Sequence, residues 1–210
     1  MASDDQNSRL QSDETSRHPG PIIISRHGRP ALNRSEGPKL DWAEYKDWWA
    51  RYEVGSLAEG QVAPEILKEA VMGSDVVLSS TRPRAFETAQ LAASWAEIEQ
   101  SDLFIEANLP PPVWKGVKFL PKTWNVLARA AWMQGHKLDG EGVKDARARA
   151  NRAADVLIER AQEGQVYLAA HGWFNRMLRP RLKERGWKCT YDGGDSYWSF
   201  RRYEKVLLTD

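Results

Sequence analysis

Four short aliphatic runs alternate with segments of helical periodicity, and this alternation limits the possible folds of the chain more than any other feature. The runs lie at 22–25, 75–79, 103–105 and 166–170. Apolar residues recur every three or four positions, as in amphipathic helices, at 41–52, 63–72, 84–99, 146–161 and 173–185. Strands that alternate with helices favour a mainly parallel sheet covered on both faces, which is a three-layer α/β/α sandwich.

The N-terminus and one internal stretch depart from this rhythm. Residues 1–19 are almost entirely polar, which predicts a disordered leader before a single domain over 20–210. Three consecutive prolines at 110–112 open a stretch over 110–140 that is rich in Trp and Lys, and we interpret it as a small insertion over the fold. Residues 197–203 alternate in polarity and predict a late edge strand.

Composition excludes several classes of protein. The chain has 210 residues with 30 basic and 29 acidic side chains, so its formal charge of +1 gives no reason to expect a nucleic-acid partner. No apolar run approaches the roughly 20 residues that a membrane-spanning helix needs. Cys189 is the single cysteine, which excludes an intrachain disulfide and a cysteine-based zinc cluster and fits a reducing cytoplasm. We therefore expect a cytoplasmic protein with no metal site and no cofactor.

Charged side chains follow the ends of the predicted strands. Arg26 and His27 follow the first strand, and Arg84 follows the second after a short turn. Glu106 follows the third strand and His171 the fourth. In open α/β sheets, ligands bind beyond the carboxyl ends of the strands. Two histidines, two arginines and a carboxylate are therefore expected to meet at one edge of the sheet.

The sequence around these residues resembles the histidine phosphatase superfamily, which has the phosphoglycerate mutase-like fold. The resemblance spans about residues 20–205, and its motifs are Ile-Ile-Ser-Arg-His-Gly at 23–28, Ser-Ser-Thr-Arg-Pro-Arg-Ala-Phe-Glu-Thr-Ala at 79–89 and Ala-His-Gly at 170–172. It implies that His27 is a nucleophile that becomes phosphorylated on its ring. It also implies that Arg26, Arg84 and His171 hold the phosphoryl group. Asn33 stands six positions after His27, where some family members have a catalytic asparagine.

The residue types agree with these roles on physical grounds. Phosphoryl transfer asks a protein mainly to position the phosphate and to place positive charge around its oxygens. Arginine suits this task because its planar guanidinium donates two parallel hydrogen bonds to phosphate. A histidine nucleophile must be neutral at the attacking nitrogen, and nearby arginines favour the neutral form. Gly28 is expected to let the backbone approach the phosphate closely.

The leaving-group oxygen also needs a proton. Glu106 is our candidate for the general acid, because it follows a strand and precedes the proline-rich stretch. Asp102 is the nearest alternative in the sequence.

Residues outside the motifs bear on the substrate. Arg29 favours a substrate with more than one anionic group if its side chain faces inward, and it is incidental if it faces solvent. The stretch over 113–137 holds basic residues and tryptophans but no acidic residue. Trp114 and Lys118 could therefore belong to a lid that binds an anionic or aromatic substrate. Two other interpretations stay open: weak contact with an anionic surface or a partner, and tryptophans that pack the stretch onto the core.

These features together predict a metal-independent phosphatase that hydrolyses a phosphate monoester through a phosphohistidine on His27. The substrate is expected to be a small phosphorylated molecule, with a phosphoprotein as a second option. Two alternatives of function stay open: a non-catalytic phospholigand-binding protein of the same fold, and a phosphomutase. The sequence does not indicate an oligomeric state. A neutral nucleophile and a protonated acid predict a bell-shaped dependence of the rate on pH.

Overall fold

The computed structural model describes residues 18–137 and 140–206. The predicted leader lies outside the described residues, apart from its last two positions. The described residues form one six-stranded sheet, with the strands in the order β3-β2-β4-β1-β6-β5. The strands are β1 (Ile22–Arg26), β2 (Val76–Ser80), β3 (Glu99–Ser101), β4 (Val166–Ala170), β5 (Trp187–Asp192) and β6 (Phe200–Lys205). The first four strands are parallel, whereas β5 and β6 run antiparallel to their neighbours.

Helices cover both faces of this sheet. They are α1 (Trp42–Glu53), α2 (Glu65–Val71), α3 (Pro83–Ala92), α4 (Pro121–Met133), α5 (Val143–Arg160) and α6 (Gly172–Glu184). In β1, Ile22 and Ile24 face the layer formed by α5 and α6. Ile23, between them, faces the layer formed by α2 and α3. Because successive residues of a strand point to opposite faces, this pattern confirms the predicted three-layer sandwich.

Helices α1 and α4 pack on each other through aromatic side chains. Tyr45, Trp48 and Trp124 are buried in one cluster, and the ring centroids of Tyr45 and Trp124 are 5.6 Å apart. The indole N–H of Trp124 donates a hydrogen bond of 2.7 Å to the carbonyl of Leu40. The predicted packing of tryptophans is therefore correct for Trp124. The interpretation of 110–140 as an insertion stays a prediction, and positions 138–139 lie outside the described residues.

Two boundaries predicted in the middle of the chain were wrong. The run 103–105 is not a strand; Asp102–Phe104 forms a 3₁₀ turn, which starts where the hydroxyl of Ser101 accepts a hydrogen bond from the Leu103 amide. The third strand, β3, precedes it and has three residues. Helix α3 ends at Ala92 rather than near 99. Trp95, which the helical pattern counts as a core position, is 49% exposed because the chain has already left the helix.

The C-terminal part of the sheet also differs from the prediction. The late strand is β6, and it lies inside the sheet between β1 and β5 rather than at the edge. The edge strand is β5, which the sequence did not reveal. Of its six residues, Trp187 alone is buried, so β5 carries almost no alternating pattern that could be detected. None of the described helices is long and apolar enough to cross a membrane.

Candidate active site

The carboxyl ends of β1 and β4 bring two histidines together. Arg26 and Ala170 are paired across the two strands, and the amide of His27 continues the pairing with a 2.9 Å hydrogen bond to the Ala170 carbonyl. His171 follows Ala170 directly. The ring centroids of His27 and His171 are therefore only 5.2 Å apart. The predicted meeting of strand-end residues holds for this pair.

His27 has the tautomer and the charge state that a nucleophile needs. Its Nδ1 lies 2.7 Å from the carbonyl oxygen of Gly28 and donates a hydrogen bond to it, so the lone pair is on Nε2. The side chain is buried, with an exposure of 2%. Burial, followed by the charges of Arg84 and Arg26, lowers the pKa of His27 well below its ordinary value. His27 is therefore neutral at neutral pH.

His171 is fixed by the end of β2. Its Nε2 lies 2.8 Å from the hydroxyl oxygen of Ser80, and its Nδ1 is buried without a protein partner among the described residues. When Ser80 donates its hydroxyl hydrogen to Nε2, Nδ1 carries the ring hydrogen and can donate it to a ligand. Burial, followed by the charges of Arg84 and His27, lowers the pKa of His171 well below its ordinary value.

Arg84 is held by the C-terminus of α1. Its side chain is fully buried, and its Nη1 donates hydrogen bonds of 2.9 Å to the carbonyls of Tyr52 and Glu53. Its Nη2 donates a 2.7 Å hydrogen bond to the carboxylate of Glu53. Carbonyls at a helix C-terminus lack partners within the helix, which makes them suitable acceptors for a guanidinium. The Nε of Arg84 is buried and has no protein partner.

Arg26 is held by the loop that leads into β6. Its Nη1 donates a 2.7 Å hydrogen bond to the carbonyl of Asp195, and its guanidinium carbon lies 4.3 Å from the ring centroid of Tyr197. The carboxylate of Asp195 pairs with Arg176, Arg179 and Arg201. Three cations therefore fix the residue that positions Arg26. The Nε of Arg26, like that of Arg84, is buried without a partner in the part of the chain that the structure describes.

Three residues near His27 thus keep buried nitrogens without an acceptor among the described residues: the Nε atoms of Arg26 and Arg84, and the Nδ1 of His171, which is a donor when Nε2 accepts from Ser80. A buried donor without an acceptor costs about 1–3 kcal/mol. Such a cost is tolerated where a ligand supplies the acceptor, and the oxygens of a phosphoryl group are acceptors for three N–H donors at once. The arrangement therefore offers hydrogen-bond donors to an anion beside a neutral histidine.

Glu106 faces the same cavity as His27 and sits at the N-terminus of α6. Its carboxylate accepts hydrogen bonds of 3.1 Å and 2.7 Å from the amides of Trp173 and Phe174. A carboxylate is favourable at this position because the first amides of a helix have no partners within it. Asp102, the alternative acid, accepts a hydrogen bond from the Thr81 hydroxyl instead and does not line the cavity.

Glycines at the ends of β1 and β4 allow close contacts, but not in the way that was predicted for Gly28. A Cβ atom at Gly28 would lie 2.5 Å from the ring of Trp198, and the Gly28 amide donates to the hydroxyl of Thr88. The close approach at Gly28 is therefore made by Trp198 rather than by a phosphate. A Cβ atom at Gly172 would lie 3.1 Å from the Nε of Arg26. Gly172 thus leaves room for a phosphate-binding candidate.

A cleft of about 530 Å³ opens in front of His27. Its basic lining residues are Arg26, Arg34, Lys122, Arg129 and Arg176, and its acidic ones are Glu106 and Asp195. Arg129 is almost fully buried and donates to the carbonyls of Ala107 and Asn108, so it fixes the segment after Glu106.

Besides Asp102, seven residues proposed from the sequence do not line this cleft: Gly28, Arg84 and His171, which are buried, and Asn33, Arg29, Trp114 and Lys118. Asn33 is exposed, and its side-chain oxygen accepts a hydrogen bond from the Ser35 amide. Arg29 is exposed as well. Trp114 is 44% exposed and contacts Trp124, and Lys118 pairs with Glu44 on α1. These last four side chains point elsewhere because the loops that carry them pack against α1 or face solvent.

The structure adds site residues that the sequence did not single out. Arg34 lines the cleft although its neighbour Asn33 does not, and Tyr197 lies 5.7 Å from His27 between ring centroids. Glu53 and Asp195 hold Arg84 and Arg26. Arg34, Asp195 and Tyr197 lie on loops and Glu53 is the last residue of α1, so no periodic pattern in the sequence indicates these roles. The nearest signal in the sequence is Asp195, an acidic residue that follows Gly193 and Gly194 in a turn before a strand.

Solved structures with the same fold act on phosphorylated molecules. Mycobacterial glucosyl-3-phosphoglycerate phosphatase is 19% identical, with a TM-score of 0.55, over 79% of this chain and 80% of that one. A phosphoserine phosphatase mutant from Entamoeba histolytica, solved with phosphoserine, is 17% identical, with a TM-score of 0.54 and coverage of 79% and 80%. Phosphoglycerate mutase from Bacillus anthracis is 21% identical, with a TM-score of 0.54 and coverage of 82% and 84%. The fold is therefore phosphoglycerate mutase-like.

The chain belongs to the histidine phosphatase superfamily (branch 1), whose family model matches residues 57–191. The matched segment contains Arg84, Glu106 and His171. It begins after His27, which the pairing of β1 with β4 places beside His171. No curated protein matches the sequence.

Proposed function

We propose that this protein hydrolyses phosphate monoesters through a covalent phosphohistidine on His27 and needs no metal ion for the reaction. One observation carries the proposal: Nε2 of a buried, neutral histidine is free, and three residues near its ring each keep a buried nitrogen donor without a partner among the described residues. These donors belong to Arg26, Arg84 and His171. They are suited to the three non-bridging oxygens of a phosphoryl group in transfer.

In the first step, the lone pair on Nε2 of His27 attacks phosphorus, and the bond from phosphorus to the leaving oxygen breaks. Glu106 gives its proton to that oxygen. The positive charge that develops on the imidazole is stabilised by the hydrogen bond from Nδ1 to the Gly28 carbonyl. Guanidinium groups stabilise the charge on the phosphoryl oxygens without themselves exchanging protons.

In the second step, water attacks the phosphoryl group from the side that the leaving group has vacated. The carboxylate of Glu106 takes a proton from this water, and Nε2 of His27 leaves with its electron pair. Inorganic phosphate and the starting state of both residues are regenerated. A single carboxylate can serve both steps because the leaving oxygen and the attacking water occupy the same side of the phosphorus.

The substrate that we propose is a small phosphorylated molecule. A cleft of about 530 Å³ lies within the range of small-molecule sites. Phosphoserine is the molecule bound in one structural relative. A phosphoprotein would have to reach His27 with an extended side chain, because the histidine is buried at the bottom of the cleft.

The test is hydrolysis of 4-nitrophenyl phosphate and of an alkyl phosphate in excess chelator. Wild type, His27→Ala, Glu106→Gln and the control Lys118→Met are compared. We expect turnover by wild type and Lys118→Met and none by His27→Ala. Glu106→Gln should lose about a hundredfold or more in kcat/KM with the alkyl ester and much less with the nitrophenyl ester, because kcat/KM reports the step in which the leaving group departs and nitrophenolate needs little protonation.

Three outcomes would contradict the proposal or part of it. Turnover by His27→Ala would show that His27 is not the nucleophile. Equal losses of kcat/KM on both esters in Glu106→Gln would show that Glu106 is not the general acid. Binding of phosphate without any hydrolysis would favour the phospholigand-binding alternative, and transfer of the phosphoryl group to an added alcohol acceptor in preference to water would favour the mutase.

A further inference from the structure

The cationic residues of the cleft differ in how their charge is compensated. Arg176 pairs with Asp195, and Arg129 is almost fully buried and donates to two backbone carbonyls. Arg34 and Lys122, in contrast, have no carboxylate partner among the residues that the structure describes, although both line the cleft. Their positive charges are therefore available to a ligand.

Arg34 and Lys122 are held next to each other by the backbone. The amide of Lys122, at the start of α4, donates a 2.8 Å hydrogen bond to the carbonyl of Arg34. The guanidinium of Arg34 lies 5.8 Å from the ring centroid of Tyr197, and that ring is 5.7 Å from the ring of His27. The two cations thus form one charged corner of the cleft, and the ring of Tyr197 lies near both Arg34 and His27.

The wall next to this corner is apolar. Val126, Ala130 and Met133 are spaced by four and three residues on α4, so they share one face of that helix, and all three line the cleft. Val126 and Met133 are 66% and 56% exposed, which is unusual for large apolar side chains on a concave surface. Trp49 on α1 lines the same cleft.

We propose that the substrate's leaving group carries a second anionic group, a carboxylate or a phosphate, which Arg34 and Lys122 bind. Its intervening segment is apolar and lies against Val126 and Met133. The inference rests on the proposed function in one respect, which is that the first phosphoryl group lies at His27. It assigns specificity for the second anion to residues that make no bond to the reacting phosphorus.

The test measures binding of benzylphosphonates by calorimetry, since phosphonates are not hydrolysed and the result does not depend on turnover. The probes are benzylphosphonate and its 4-carboxy, 4-carbamoyl and 4-phosphonomethyl derivatives. The carbamoyl group matches the carboxylate in shape but carries no charge. Wild type should bind the 4-carboxy probe about tenfold more tightly than the 4-carbamoyl probe, as a charge-assisted contact in a partly buried cleft allows.

Matched variants locate the contact. Lys122→Met and Arg34→Met should each reduce the preference for the 4-carboxy over the 4-carbamoyl probe to about threefold or less. Lys118→Met and Arg29→Met remove exposed cations that lie near these residues in sequence but outside the cleft, and they should keep the wild-type preference. Val126→Asn should weaken the binding of both probes equally, because this substitution alters the apolar wall alone.

Each outcome decides the inference. Tighter binding of the 4-carboxy or the 4-phosphonomethyl probe than of the 4-carbamoyl probe supports the inference. Whichever of the two charged probes binds more tightly identifies the second anion. Equal binding of charged and neutral probes by wild type, undetectable binding of the charged probes, or an unchanged preference in Lys122→Met and Arg34→Met would overturn it. None of these results depends on whether His27 is phosphorylated, so the inference and the proposed function can fail separately.

Discussion

At the scale of single residues, the chemistry depends on two histidines that stay neutral in a cationic site. Burial is the largest cause for both, and Arg84 is the next. The acid limb of the predicted bell-shaped pH profile is thereby moved below the ordinary range of histidine, since His27 protonates only at lower pH. In the proposed mechanism, the arginines bind the anion and also keep the nucleophile unprotonated.

The same lowered pKa values predict how stability depends on pH. Below about pH 6.5, the unfolded chain takes up protons on His27 and His171 while the folded chain does not, so the free energy of unfolding falls as pH decreases. Each histidine contributes a slope of about 1 kcal/mol per pH unit in this range. Urea unfolding at several pH values between pH 7 and pH 5 measures this slope.

His171→Asn and His27→Asn provide the comparison for this experiment. Each removes one group that titrates only in the unfolded chain, so each variant should lose less stability than wild type over the same pH interval. Identical pH dependence in wild type and both variants would show that these histidines are not held neutral by the fold.

At the scale of elements, the site is assembled where one loop and two helix ends meet three parallel strands. The C-terminus of α1 holds Arg84, and the N-terminus of α6 holds Glu106. The loop before β6 holds Arg26 through Asp195. Burial acts to raise the pKa of Asp195, but hydrogen bonds and charge from Arg179, Arg176 and Arg201 hold it below its ordinary value.

Asp195→Asn tests whether this loop positions Arg26. If the ion pairs fix the loop, their loss should raise KM for an aryl phosphate about threefold to tenfold and lower the free energy of unfolding by about 1 kcal/mol, a small value because the site is partly exposed. Removal of a negative charge from the cleft should by itself have the opposite effect on KM. The steady-state kinetics therefore separate positioning from simple electrostatics.

Asp155→Asn is the matched control for Asp195→Asn. Asp155 pairs with Arg185 at 2.7 Å on the surface, away from the residues that line the cleft. Asp155→Asn should lower the free energy of unfolding by less than Asp195→Asn does, and it should leave KM unchanged. An unchanged or lower KM in Asp195→Asn would refute the positioning role of the loop.

At the scale of the whole molecule, a residue that follows a parallel strand could be predicted from the sequence, and a residue that lies on a loop could not. His27 and His171 come at the ends of aliphatic runs, so their meeting depends only on β1 and β4 being neighbours. Arg34 faces the cleft because the start of α4 binds its carbonyl. That contact joins residues 88 positions apart, which no local pattern encodes.

Burial explains which strands could be predicted from the sequence. The predicted runs in β1, β2 and β4 are apolar because helices cover them on both faces. β3 has three residues and two of them are exposed, and β5 has a single buried residue, so neither has a pattern to detect. The central sheet was therefore predictable, and its two edges were not.

The central claim is that His27 becomes covalently phosphorylated. Wild type would be mixed with an aryl phosphate in chelator, quenched in alkali within one turnover, digested and analysed by mass spectrometry, with His27→Ala as the control. We expect one added phosphoryl group on the peptide that contains His27, stable in alkali and lost in acid, and absent from the variant. Turnover by wild type with no phosphoryl group on that peptide, or with the group on another residue, would contradict it.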